Sequence, residues 1–129
     1  MFICLPDVPD TLAVFGSGKG ASLLPDCHWV KTSEIVYFYW GDCDEAGYGI
    51  LSDLRRTFPQ VQSLLMDRQL GLSGNTSLSP VKRDTTASFS YLTADEKLAL
   101  AEVLTGPWML EQERIPATEA ERAVITAFG

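Results

Sequence analysis

The chain has 129 residues, of which 46% are hydrophobic and 21% charged, a composition typical of one soluble globular domain with its own core. No apolar run is long enough to span a membrane, and no basic segment precedes an apolar one at the N-terminus, which favours a cytoplasmic protein without a membrane partner. The net charge of −7 argues against a protein that grips nucleic acid through its overall field. It leaves room for a nuclease site, where carboxylates hold a cation.

Two short apolar runs near the start of the chain are separated by prolines and acidic residues. They predict two strands, Phe2–Leu5 and Leu12–Phe15. A glycine-rich turn, Gly16–Gly20, then leads into a short helix near Ala21–Leu24. Together with the pattern that follows, these elements predict one domain over residues 1–129.

The glycine-rich turn matches a nucleotide-binding loop only in part. A P-loop requires Gly, four residues, and then Gly-Lys-Ser/Thr, but Lys19 is followed by Gly20, and Ala13 stands where the first glycine belongs. Backbone amides at such a turn can still contact a phosphate. Two interpretations stay open, a purely structural turn and a phosphate approach through Gly16, Gly18 and Gly20.

The middle of the chain has a strand–helix–strand pattern. Ile35–Trp40 is almost entirely apolar or aromatic, as expected of a central strand covered on both faces. Apolar residues then recur at helical spacing over Ile50–Phe58, and Pro59 ends that helix. Val61–Met66 is the next buried strand. This order predicts an α/β fold with a mainly parallel sheet flanked by helices.

The strongest functional signal is an Asp-x-Asp pair directly after the aromatic strand. Side chains alternate along an extended chain, so Asp42 and Asp44 are predicted on one side, with Cys43 facing the other way. Two carboxylates at the end of a strand can hold a hard cation such as Mg²⁺. The alternative is that Asp44 or Glu45 only caps the following helix. The first hypothesis is therefore metal-dependent chemistry at phosphate.

The cysteines and the histidine are assigned to the core. Cys4, Cys27 and Cys43 are an odd number and lie in or beside apolar stretches, which indicates reduced, packed side chains. His28 is the only histidine, and we expect a packing or capping role for it. With one histidine in that setting, the sequence gives no basis for Ser/His or Cys/His catalysis.

The second half of the chain begins with a polar segment. Gly71–Ser90 is rich in Gly, Ser, Thr, Asn and Pro, which predicts a long loop or flap. A capping box, Thr93 with Glu96, then opens a helix that runs to about Leu104.

A brief apolar stretch, Trp108–Leu110, leads into the end of the chain. Glu111 and Glu113 form a second pair on one side if that segment is extended, and they are surface residues or part of a metal shell. A second capping box, Thr118 with Glu121, is predicted to open the last helix.

Basic residues that could reach a phosphate are few. They are Arg55, Arg56, Arg68, Lys82 and Arg83. For each of them, the alternative is a solvated surface charge that contacts no phosphate.

Four segments in series resemble one known family. They are Val14-Phe-Gly-Ser-Gly-Lys-Gly20, Tyr39-Trp-Gly-Asp-Cys-Asp-Glu-Ala-Gly47, Ser63-Leu-Leu-Met-Asp-Arg68 and Leu110-Glu-Gln-Glu-Arg-Ile-Pro116. The resemblance is to the C-terminal Toprim-like domain of JetD, the nuclease subunit of the bacterial Wadjet anti-plasmid system, which is related to the Toprim region of the topoisomerase VI A subunit. It covers essentially the whole chain.

The resemblance implies a Toprim-like fold and a metal-dependent endonuclease acting on DNA with SMC-like subunits. Asp42 and Asp44 would bind Mg²⁺ or Mn²⁺, with Asp67 and Glu111 supporting the metal shell at neighbouring strand ends. The glycine-rich turn would lie beside the scissile phosphate. Members also carry a large N-terminal region, so we expect either an excised domain or a stand-alone remnant.

One position departs from the family. Members have a catalytic glutamate after the first strand, where Leu5 stands in this chain, and leucine neither binds metal nor accepts a proton. Asp7, two residues on, would face the same way in an extended chain and is the stand-in candidate. Cleavage is therefore expected to be weakened. The alternatives are an inactive Toprim-like module that binds DNA or a partner protein, and a small Rossmann-like nucleotide binder.

Overall fold

A computed structural model describes residues 6, 8–14, 35–67, 79–80, 88–105, 108–109, 111 and 114–128. In chain order its elements are β1 (Phe38–Tyr39), α1 (Glu45–Thr57), β2 (Gln62–Ser63), β3 (Ser79–Pro80), α2 (Ala94–Thr105), β4 (Trp108–Met109) and α3 (Ala117–Phe128). The predicted α/β class is confirmed. None of the helices in this part of the chain has the length and apolar character needed to cross a membrane.

β1 and β2 form a parallel pair with α1 as the connection between them. The Leu64 N–H donates to the Tyr39 carbonyl at 2.8 Å, and the Gln62 N–H donates to the Tyr37 carbonyl at 3.0 Å. The predicted parallel direction is therefore confirmed. Both strands are shorter than predicted. After β2, Leu65 has φ of 59°, a left-handed conformation that breaks the regular ladder.

A second, antiparallel pair joins β3 to β4. β3 lies within the segment Gly71–Ser90, so the predicted long loop contains a short strand. The partner strand β4 corresponds to the predicted apolar stretch Trp108–Leu110. Its apolar side chain Met109 is fully buried, which accounts for an ordered pairing in an otherwise polar region.

The predicted strand Leu12–Phe15 is wrong over the residues that are described. Residues 11–14 have no regular secondary structure, and the Leu12 side chain is 70% exposed. A strand needs a neighbour for its backbone groups, and these residues pair with none of the described strands. The predicted strand Phe2–Leu5, the turn Gly16–Gly20 and the helix near Ala21–Leu24 lie outside the described residues.

The core forms where α1 and α2 pack over the parallel strands. Its most deeply buried apolar side chains are Tyr48, Leu51, Met66, Val103 and Met109. Cys43 is also buried in its reduced form, as predicted for this cysteine. Cys4, Cys27 and His28 lie outside the described part of the chain. On α3, Phe128 meets Phe38 of β1 edge-to-face, with ring centroids 4.7 Å apart.

The predicted capping box at the start of α2 is confirmed. The Glu96 N–H donates to Thr93 Oγ1 at 3.2 Å, and the Thr93 N–H donates to Glu96 Oε1 at 2.8 Å. The second predicted box, Thr118 with Glu121, is wrong because α3 begins at Ala117, which places Thr118 inside the helix and not at its N-cap. The Pro116 carbonyl instead accepts the N–H groups of Glu119 and Ala120.

Glu96 also forms a buried ion pair with Arg55 of α1. The guanidinium donates to both carboxylate oxygens, through Nη1 and, at 2.8 Å, through Nη2. The Ser63 hydroxyl donates to the same carboxylate. The guanidinium also donates to two backbone carbonyls, from Nε to Val61 and from Nη1 to Tyr91, at 2.9 Å each. The pair therefore ties α1, β2 and α2 together in the core.

Acid is expected to weaken the fold through Glu96. Burial opposes ionisation of this carboxyl, but hydrogen bonds from Arg55, Ser63 and Thr93 prevail and lower its pKa from 4.5 to about 2. Because the folded pKa is depressed, the stabilisation is present above the unfolded pKa and is lost as pH falls through the folded pKa. At about 1.4 kcal/mol per pKa unit, up to about 3 kcal/mol is lost.

Urea unfolding from pH 7 to pH 2 measures this loss. In Glu96→Gln the corresponding part of the pH dependence should disappear, because the substituted side chain does not titrate. Equal acid slopes in the wild type and in this variant would show that Glu96 is not the responsible group.

A candidate metal site at the carboxyl end of the parallel strands

The Asp-x-Asp segment is held against the end of β2. The Gly41 N–H donates to Met66 Sδ at 3.4 Å, and the Cys43 thiol donates to the Leu65 carbonyl at 3.6 Å. The segment after β1 is therefore joined to the segment after β2. Asp42 and Asp44 therefore lie at the edge of the sheet where the two parallel strands end. Open α/β sheets bind their ligands at this edge.

Exposure along this segment follows the predicted alternation only in part. Cys43 is 1% exposed and belongs to the core, so it faces inward as predicted. Asp42 is partly exposed, whereas Asp44 is only 6% exposed. A buried carboxylate needs hydrogen-bond partners. The partners of Asp44 determine whether its oxygens can also bind a cation.

Asp44 is the N-cap residue of α1. Its backbone is extended, with φ of −138° and ψ of 175°, and its Oδ1 accepts the Gly47 N–H at 2.7 Å. The capping interpretation of Asp44 is therefore correct. Capping leaves the metal interpretation open, because an ionised carboxylate accepts at both oxygens and has about four lone-pair sites. The cap also fixes the rotamer of this carboxylate.

Gly47 is needed for the turn that carries both aspartates. A Cβ at this position would lie 1.9 Å from the Asp42 carbonyl oxygen and 3.2 Å from Asp44 Oδ1. The first contact is with backbone, which cannot rotate away. The glycine therefore lets the first turn of α1 approach the Asp42 peptide closely.

Gly47→Ala is expected to destabilise the fold by about 1–3 kcal/mol, the usual range for inserting a methyl group into a packed site. The sign is informative, because the same change in an unhindered helix stabilises by about 1 kcal/mol. Chemical denaturation measures the effect. Thr57→Ala, at an exposed position of the same helix, is the control. A variant at least as stable as the wild type would contradict the close approach.

Tyr39 lies against the same segment on the β1 side. A Cβ at Gly41 would be 2.3 Å from the Tyr39 Oη and 2.7 Å from its Cζ. The phenol ring therefore folds back over the residue that precedes Asp42. No role was predicted for Tyr39, although a glycine between an aromatic strand residue and an aspartate was a signal of this close packing.

The two carboxylates act together on the Tyr39 hydroxyl. Burial raises the pKa of this phenol well above its usual range, and the negative charges of Asp42 and Asp44 raise it further. The hydroxyl therefore keeps its proton at neutral pH and is a hydrogen-bond donor.

Tyr48 of α1 contacts the segment that follows the neighbouring strand, β2. Its hydroxyl donates to the Met66 carbonyl at 2.7 Å, and its pKa is raised by burial, then by the neighbouring Cys43 side chain and by the charges of Glu96 and Asp67. Asp67 follows Met66 and is exposed. Asp67 therefore lies just after β2, at the same edge of the sheet as the Asp-x-Asp segment. Its predicted supporting role stays a prediction.

Glu111 has a partner close to it in the chain. The Arg114 Nε donates to Glu111 Oε2 at 3.2 Å. Among the described residues, no three Asp, Glu, His or Cys side chains come together closely enough to hold a metal ion. A metal shell that includes Glu111 therefore stays a prediction, and Glu113 lies outside the described part.

Several predicted site residues cannot be placed relative to Asp42. Asp7, and Leu5 at the expected glutamate position, lie outside the described residues. The same holds for Gly16, Gly18 and Gly20. Three predictions therefore stay predictions: Asp7 as a metal ligand, Leu5 in the place of the catalytic glutamate, and the glycine-rich turn as a contact for phosphate.

The basic residues predicted to reach a phosphate differ in their surroundings. Arg55 is wrongly placed in that group, since its guanidinium is buried and bound to Glu96. Its neighbour Arg56 is exposed and keeps that prediction. Arg68, Lys82 and Arg83 lie outside the described part of the chain.

An open groove of about 620 Å³ lies between β2 and α3, next to the strand end that carries Asp67. Apolar residues such as Phe38 and Leu64 contribute to its lining, together with Asp67, Glu119 and Arg122. Two carboxylates against one guanidinium do not attract a phosphate backbone by charge alone. Among the described residues of its lining, charge therefore gives no attraction for DNA.

The chain matches a known protein family. The family model described as Wadjet protein JetD, C-terminal, matches residues 1–124. No curated protein matches the chain.

Proposed function

The chain belongs to the family of the C-terminal region of the Wadjet protein JetD, and from this premise we propose that it is a Toprim-type domain that binds Mg²⁺ or Mn²⁺ and cleaves DNA. Its place is in the Wadjet defence system, together with SMC-like subunits. Those partners would supply most of the affinity for DNA, since the chain is acidic, with a net charge of −7.

The observation that supports this proposal is the placement of two aspartates directly after the first of two parallel strands. Asp42 and Asp44 follow β1 at the carboxyl end of the pair, and the Asp44 carboxylate is fixed by its cap on α1. Two carboxylates at a strand end supply hard oxygen donors of the kind that Mg²⁺ prefers. These donors support the proposal of a divalent cation, for which Asp67 and Asp7 would be further ligands.

When bound, the cation would offset the charge of a phosphate and stabilise the negative charge that builds as the strand is cut. Asp44 would contribute a carboxylate already fixed in place by its cap on α1. Asp42, partly exposed, would face the incoming phosphate. Gly47 and Gly41 would keep the segment close to α1 and Tyr39, so that both carboxylates are positioned before substrate arrives.

The missing glutamate limits the reaction in this proposal. Leu5 stands where the family has a catalytic glutamate, and no proton transfer is available from leucine. Cleavage is then slow, with Asp7 as the residue able to replace part of the lost function.

The second candidate is an inactive Toprim-like module that binds DNA or a partner protein. The observation that favours it is the engagement of Asp44 Oδ1 by the Gly47 N–H, which commits part of the pair to the fold. A small nucleotide binder using Gly16–Gly20 is the weakest alternative, because the turn departs from the P-loop pattern.

Nicking of supercoiled plasmid DNA in Mg²⁺ or Mn²⁺ tests the proposal. We expect slow, metal-dependent nicking by the wild type and at least about a 100-fold loss in Asp42→Asn, since each 1.4 kcal/mol of lost transition-state stabilisation is tenfold in rate. Asp53→Asn, a change of the same kind at an exposed position of α1, is the control.

Leu5→Glu separates the two candidates. A gain in nicking that still requires Asp42 supports a weakened nuclease. If metal binds but neither the wild type nor Leu5→Glu cuts DNA, the inactive module is the better description, and the proposed cleavage fails.

A further inference from the structure

The two faces of the parallel strand pair are covered by different helices. Tyr37 stacks on Phe58 at the end of α1, with ring centroids 5.3 Å apart. The next residue, Phe38, meets Phe128 of α3, with ring centroids 4.7 Å apart. Because successive side chains of a strand point to opposite faces, α1 lies on one face of the pair and α3 on the other.

The face that carries α3 is only partly covered. The open groove of about 620 Å³ lies on this face, between α3 and β2. Its apolar lining includes Phe38 and Leu64, and both side chains are half-buried. In α/β folds the apolar faces of a sheet are covered by helices. Within the described part of the chain, this sheet face therefore keeps apolar surface that a further helix can cover.

The α3 side of the groove has a surface suited to a second helix. Glu119, Ala123 and Ala127 line the groove at intervals of four residues, the spacing of the side-chain rows that pack between helices. Two of these three side chains are single methyl groups, so another helix can approach closely. Residues 119–127 extend over about 12 Å at about 1.5 Å per residue, which is about two helical turns.

The charged residues of the lining indicate what the occupant carries. Asp67 and Glu119 contribute two carboxylates, and Arg122 contributes one guanidinium. Asp67 and Arg122 are both exposed. The excess negative charge favours an occupant with lysine or arginine and disfavours an acidic peptide or a nucleic acid, because complementary charges determine which partners are accepted.

We infer that this groove is a docking site for an amphipathic helix of a partner protein. The apolar side of that helix lies over Phe38 and Leu64, and a lysine or arginine on its flank faces Asp67. Binding of this kind uses apolar anchors spaced three and four residues apart. The inference goes beyond the proposed function, since it requires neither a metal ion nor DNA cleavage.

A phage-displayed library of random helical peptides, selected on the full chain, tests the inference. The enriched peptides should combine apolar residues at spacings of three and four with lysine or arginine. One of them, synthesised with a fluorescent label, is then titrated with the chain by anisotropy. Ala123→Arg fills the groove and Asp67→Lys reverses a charge in its lining. Each should weaken binding at least about tenfold, as expected for a central interface contact.

Ala101→Arg and Asp95→Lys are the matched controls, because they make the same changes at exposed positions of α2. Both should bind the peptide like the wild type, and circular dichroism should show that all four variants are folded. Asp67 is exposed, so Asp67→Lys tests the groove even if Ala123→Arg disturbs the packing of α3.

Three results would overturn the inference. One is a selection that enriches no peptide, or only acidic ones. Another is wild-type affinity for the peptide in Asp67→Lys. The third is self-association of the chain that is lost in Ala123→Arg, which would assign the groove to a second copy of the chain. Each of these results leaves the proposed metal site untouched, because none involves Asp42 or Asp44.

Discussion

Arg55→Met is expected to lower the free energy of unfolding by about 3–5 kcal/mol, because it leaves the Glu96 carboxylate buried without its charged partner. Glu96 is 1% exposed and takes two hydrogen bonds from this guanidinium. A domain of this size has a total stability of about 5–15 kcal/mol, so the change removes a large share. Urea denaturation at neutral pH measures it.

The adjacent residue supplies the control. Arg56→Met makes the same substitution at an exposed position of the same helix, and it should change stability by about 0.5 kcal/mol or less. If both variants lose the same amount, the buried pair is not the source of the effect, and the ion pair contributes nothing beyond a surface charge.

Variants of Asp44 are expected to separate its two roles. Asn caps helices as well as Asp, so Asp44→Asn should keep the fold while losing the charge that binds a cation. Asp44→Ala should lose both and cost about 1 kcal/mol in metal-free buffer. For a ligand, the loss of Mn²⁺ affinity should exceed the roughly 10–100-fold typical of outer partners.

Thermal unfolding with and without Mg²⁺ measures both roles together. A cation that binds the folded state at 100 times its Kd stabilises by about 2.7 kcal/mol, and this gain should vanish in Asp44→Asn and in Asp44→Ala. Asp53→Asn, on an exposed part of α1, should keep it. A full Mg²⁺ response in Asp44→Asn would show that this carboxylate serves only as a cap.

Features encoded within a few neighbouring residues were predictable from the sequence. The capping box of Thr93 and Glu96 needs only residues three apart, and the inward direction of Cys43 needs only the alternation of an extended chain. The α/β class followed from one strand–helix–strand pattern. In each case the physical cause acts within a single turn or strand.

Features that depend on distant residues could not be predicted in the same way. Arg55 and Glu96 are 41 positions apart, and no local pattern links them, so Arg55 looked like a surface charge. The start of α3 depended on Pro116, which competed with the capping box predicted at Thr118. The strand at Leu12 failed because a strand needs a neighbouring partner, which no local pattern supplies.

The candidate site shows the same division. The pair Asp42 and Asp44 was evident from its spacing after an aromatic strand. The contact of Tyr39 with Gly41 was not, since it depends on how the chain turns between them. Capping of α1 was one of two interpretations of Asp44, the other being metal binding. Only the structure shows that the capping hydrogen bond is formed.

Calorimetric titration of Mn²⁺ into the wild-type chain tests most directly whether Asp42 and Asp44 hold a divalent cation together. We predict saturable binding by the wild type and none by the double variant Asp42→Asn/Asp44→Asn, with circular dichroism showing that the double variant stays folded. A wild-type chain without saturable binding, or a double variant with unchanged affinity, would contradict the assignment of this pair as a metal site.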